Sequence, residues 1–144
     1  MKPTTWTVLA DKAQADVRDA QEQINEARRR VDKLEGSIAH LDGLRDDYIV
    51  RYNETQKVAH SIAETITYRK FLEHLRGLRR KVESQLQDAS LQLADAKAAH
   101  LKAVREKVKM DAMVERDERN RALAAAKLEQ RALDEAGLRL FNSR

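Results

Sequence analysis

The sequence predicts an all-α fold: a two-helix antiparallel coiled-coil hairpin formed by a single domain, residues 1–144. Three observations point there. Charged residues make up 36% of the chain and aromatics 4%, against about 25% charge in an ordinary soluble domain, which leaves little to fill a globular core. Small and apolar residues recur in alternating steps of three and four over most of the length, the spacing of a heptad seam. That rhythm falters once, between Tyr48 and Leu78, where Asn53, Thr55, Ser61, Thr65 and Thr67 collect.

The first arm, about 4–54, opens at Pro3, Thr4 and Thr5, since proline is tolerated in a first turn and threonine can cap it. Its seam runs Trp6, Ala10, Ala13, Val17, Ala20, Ile24, Ala27, Val31, Leu34, Ile38 and Leu41. This spans about five heptads, beyond the three or four that define a coiled coil. Arg45 stands where the next core residue is due, with Leu44 beside it, and Tyr48 and Tyr52 carry the stripe onward. The tip is expected at about 55–61. Ser61 and Glu64 have the spacing of a capping box, in which each side chain reaches the other residue's amide.

The second arm, about 62–140, has the seam Tyr68, Phe71, Leu75, Leu78, Val82, Leu86, Ala89, Leu93, Ala96, His100 and Ala103, with Leu72 broadening the stripe. The pattern loosens through Val104, Val108, Met110, Met113 and Val114, and resumes as Leu123, Ala126, Leu133, Ala136 and Leu140. No glycine or proline interrupts residues 78–136, so one helix of about 75 residues, roughly 110 Å long, is expected. A turn centred near residue 59 sets Leu41 against Leu75 and Leu78, Ile24 against Leu93, and Trp6 beside Met110 and Met113. The first arm is then used up, and residues 114–144 form an overhang. Its unpaired apolar stripe reads as a binding surface or a disordered tail.

Composition and motifs exclude much. The chain has no cysteine, hence no thiolate chemistry and no disulfide framework. No apolar run approaches the roughly 20 residues of a membrane helix. Asp11 and Asp16 interrupt the N-terminal segment, which therefore does not read as a secretory signal, and a cytoplasmic location is expected. His40, His60, His74 and His100 are scattered without ligand spacing, and there is no glycine-rich phosphate loop. No catalytic residue, metal site or cofactor is expected; the chain does not read as an enzyme. Two basic clusters remain, Arg28-Arg29-Arg30 and the group Arg69, Lys70, Arg76, Arg79, Arg80 and Lys81. Each reads as a solvated face or a site for an acidic protein partner. Without aromatic platforms or recognition elements they give no reason to expect specific nucleic-acid binding.

Three stretches carry a family resemblance: TVLADKAQADVRDA near the start, Tyr48 with YRKFLEHL at Tyr68–Leu75, and LEQRALDE at Leu128–Glu135. Evenly spaced over two arms, they resemble the flagellar FliJ family, small coiled-coil components of the type III export apparatus. The family's turn commonly holds glycine, whereas residues 53–67 here contain none. The resemblance implies an antiparallel coiled coil similar to the γ-subunit stalk of rotary ATPases, with no enzymatic activity of its own. It implies binding to the hexameric flagellar export ATPase, whose assembly it promotes, and to the cytoplasmic region of the export gate protein FlhA. It also implies recycling of free export chaperones, and peripheral association with the cytoplasmic face of the inner membrane through the gate. Carried onto this chain, the gate contact falls on Phe71, Leu72, Leu75 and Leu78. The ATPase contact falls on Arg116, Arg119, Arg121, Leu123, Arg131, Leu133, Arg139 and Leu140. The same Phe71 and Leu75 also fit the seam opposite Tyr48, Leu44 and Leu41, so core and gate roles both stand. The stalk of a virulence type III system, a general substrate chaperone or adaptor, and a basic coiled coil that binds nucleic acid are the alternatives.

Overall fold

The computed structural model describes residues 4–56 and 61–143. They form two long helices packed against each other, α1 (Thr5–Thr55) and α2 (Ile62–Asn142), with no strand among the described residues. Both helices begin on side-chain caps. The Thr7 amide donates to Thr4 Oγ1 at 3.2 Å, and the Val8 amide to the Thr4 carbonyl at 3.1 Å. Pro3, expected at this start, lies outside the described residues. The Glu64 amide donates to Ser61 Oγ at 3.2 Å, which supplies an acceptor to a first-turn N–H that the helix cannot satisfy itself. Of the tip expected at 55–61, residues 57–60 lie outside the described residues.

Contacts divide the chain into two units, Ala20–Ala99 and Met1–Asp19 with His100–Arg144. In the first, Ile24, Val31, Leu75 and Ala89 are buried, Ala89 completely at 0% exposure. All four are seam residues, and the small Ala89 allows close helix approach where larger side chains flank it. Leu34, Ile38, Leu41, Val82, Leu86 and Leu93 are half-buried along the same stripe. Arg30 donates to Gln92 Oε1 at 3.0 Å, and Arg79 Nε to Asp42 Oδ1 at 2.7 Å. These pairs, with the ring contacts below, fall within one helical turn of those that a centre near residue 59 gives.

Arg79 grips Asp42 with a second, longer bond from Nη2 at 3.4 Å and also reaches Glu83, while Arg45 stands 3.6 Å from Asp42. The hydrogen bond from Arg79 holds the Asp42 carboxyl below its ordinary value, against a smaller opposing effect of burial, and the charges of Arg79 and Arg45 add to the lowering. A carboxylate whose pKa is depressed by folding stabilises the fold above its unfolded pKa, and that contribution is lost as pH falls through the folded value. Arg79→Ala is therefore expected to raise the Asp42 titration midpoint toward the ordinary carboxylate range, read by carbon-detected NMR of the side-chain carboxyl. An unchanged midpoint would assign the depression to Arg45 instead.

In the second unit, Ala13 is buried at 4% exposure, with Trp6, Ala10 and Val17 half-buried on α1. On α2 the half-buried positions include His100, Ala103, Lys107, Met110, Val114 and Asp117. The steps of three and four thus persist where the apolar pattern loosens. One expectation is corrected: Val108 is 63% exposed, and Lys107 holds the seam position in its place. A lysine can do so by laying its methylene stem along the apolar face with the ammonium in water.

Candidate functional site

Near the end of the hairpin in the 20–99 unit, four rings gather. Tyr68 of α2 stacks on Tyr52 at a centroid distance of 3.6 Å and on Tyr48 at 5.1 Å, within 12° of parallel in both cases. Phe71 tilts against Tyr48 at 4.2 Å and 43°. The cause is local: Tyr48 and Tyr52 are four apart on α1 and share a face, as Tyr68 and Phe71 do, three apart on α2. Burial, then the neighbouring Tyr52 and Tyr48, pushes the Tyr68 hydroxyl above its ordinary value. Sequence reading placed these residues on the stripe but not in one stack.

The four residues assigned to the gate contact divide into two kinds. Leu75 is buried at 6% exposure and Leu72 half-buried; both line a shallow groove with Leu41 and Ile49. Phe71 and Leu78 keep 37% and 38% of their surface exposed. Beside them on α2, Lys70 and Lys81 are exposed, Arg69, Arg76 and Arg80 are exposed on the opposite side of the helix, and Arg79 is engaged by Asp42 and Glu83. The outcome is a small apolar patch with a basic rim, an arrangement common at protein-binding surfaces.

A second surface occupies the end of α2. Every residue from 118 to 143 is exposed, including Leu123, Leu133 and Leu140. Of the residues assigned to the ATPase contact, Arg116, Arg119, Arg121, Arg131 and Arg139 are exposed as well, with Arg121 paired to Asp117 at 3.3 Å. Leu128, Leu138 and Phe141 are just as open, Phe141 at 77%. Sequence reading passed over these three because they fall off the heptad stripe. Nothing in the chain among the described residues covers this face, and an isolated leucine in water forgoes about 1.5–3 kcal/mol of burial.

Among the described residues there is no cluster of side chains fit to hold a metal ion, and no helix long and apolar enough to cross a membrane. Fold and surfaces together define a helical-hairpin protein whose accessible features are apolar patches set among charges.

Residues 5–144 match the family model described as flagellar FliJ protein, and the chain belongs to the FliJ family. Membership makes it a component of the flagellar export apparatus, in a family that is not catalytic. No curated protein and no solved structure matches the chain.

Proposed function

We propose that this chain is the helical stalk of the flagellar protein-export machine, joining the export ATPase ring to the export gate. The exposed end of α2 engages the ring. Its leucines supply apolar contact, and its alternating Arg and Glu residues keep many rotational positions nearly equal in energy. Phe71 and Leu78, with their basic rim, engage the cytoplasmic region of FlhA, which brings the chain to the cytoplasmic face of the inner membrane without a span of its own. Free export chaperones are further partners. The observation that carries this reading is the uninterrupted exposure of 118–143, a helical segment whose leucines have no cover among the described residues.

The test is ATPase ring assembly followed by light scattering, with the chain added at increasing ratio. The expected result is hexamer formation at lower ATPase concentration. Scattering that does not respond to the chain contradicts the stalk reading.

A further inference from the structure

The regular helix between Glu118 and Asn142 also fits a second copy of itself. Its heptad puts Leu123, Gln130 and Gly137 at one core position and Ala126, Leu133 and Leu140 at the other. A two-fold pairing requires that if one residue faces another, the reverse contact forms too. Setting Leu123 against Leu140 of a second copy places Ala126 against Gly137 and Gln130 against Leu133, so every layer along the segment recurs in its symmetric counterpart, with the leucine pairs closing both ends. Gly137 has no atom within 4 Å where a Cβ would point, which leaves room for the close approach that the Ala126–Gly137 layers need.

Charge selects this alignment from its rivals. The position flanking the core holds Lys127 and Asp134, and the antiparallel register above sets Lys127 against Asp134 of the second copy twice over. Sliding by one heptad brings Lys127 against Lys127 in one direction and Asp134 against Asp134 in the other. A parallel pair sets Glu129 against Asp134, again like charges. The Gln130 side-chain amide donates to Asp134 Oδ1 at 3.1 Å, holding that carboxylate beside the seam while its second oxygen can still meet a lysine.

We propose that residues 118–142 form an antiparallel homodimer through Leu123, Leu133 and Leu140, with its register fixed by Lys127 and Asp134. The inference rests on this segment's own pattern and not on the ATPase reading.

The test is the solution mass of the full chain by sedimentation equilibrium from micromolar to millimolar concentration. The wild-type chain is expected to rise from one-chain to two-chain mass. Lys127→Asp and Asp134→Lys, each alone, face like charges in the pair, and each should weaken dimerisation at least about ten-fold. An equimolar mixture of the two should regain two-chain mass, because only the mixed pair has opposite charges at both sites. Circular dichroism of each variant confirms that the helices persist. One-chain mass for the wild type throughout overturns the proposal, including when mass shifts only on adding the ATPase. So does a mixture that stays monomeric, or a single variant that pairs as well as wild type.

Discussion

Replacing Leu75 by alanine is expected to cost about 2–5 kcal/mol of stability, the range for removing a large buried aliphatic side chain. That is a large share of the 5–15 kcal/mol that holds a typical native protein together. The reason is position. Leu75 is 6% exposed and shares a groove lining with Leu41, Ile49 and Leu72, so truncating it removes a side chain that is almost wholly out of water. Phe71 and Leu78 differ, because over a third of each remains open. Leu78→Ala, at the more open of the two leucines, should cost less stability and still weaken association with FlhA. Chemical denaturation separates the two expectations: a larger midpoint shift for Leu75→Ala than for Leu78→Ala. A Leu75→Ala protein as stable as wild type would show that the hairpin does not close around this residue.

Leu75 also marks where sequence reading reaches its end. Helical periodicity alone selects the seam. Every position from Trp6 to Leu41 assigned by steps of three and four is half-buried or buried, because a helix has only one face that such steps can line. The same argument names Leu75 and Ala89 on α2. It cannot apportion exposure among Phe71, Leu72, Leu75 and Leu78, since that depends on how wide a stripe the opposite arm covers. Past Leu41 the first arm offers Arg45 and tyrosines, and these leave Phe71 partly open, while Leu78 borders the small Gly36 and Ser37.

Polar members of the seam were harder to see. Lys107 is half-buried where hydropathy points to Val108, because a residue-level scale registers the charged head and not the stem. The Asp42–Arg79 pair and the tyrosine stack need the register and the side-chain rotamers together, and the sequence supplies only the first. The exposed end of α2, in contrast, was visible in outline. A longer second arm leaves apolar residues without a facing partner.

Removing that end has the largest functional effect expected here. A chain ending at Asp117 retains Ala13, the seam through Val114 and the whole 20–99 unit, so its helices should stay paired. It loses Leu123, Leu133, Leu140 and the arginines between them. Burying even a few of these leucines against a ring would supply about 1.5–3 kcal/mol each, and every 1.4 kcal/mol is ten-fold in affinity. The decisive measurement is ATPase hexamer assembly by light scattering with the full chain and with the chain ending at Asp117, each verified as folded by circular dichroism. The stalk account predicts that the full chain promotes assembly and the shortened chain does not. Equal promotion by both would contradict it and place the ring contact elsewhere on the hairpin.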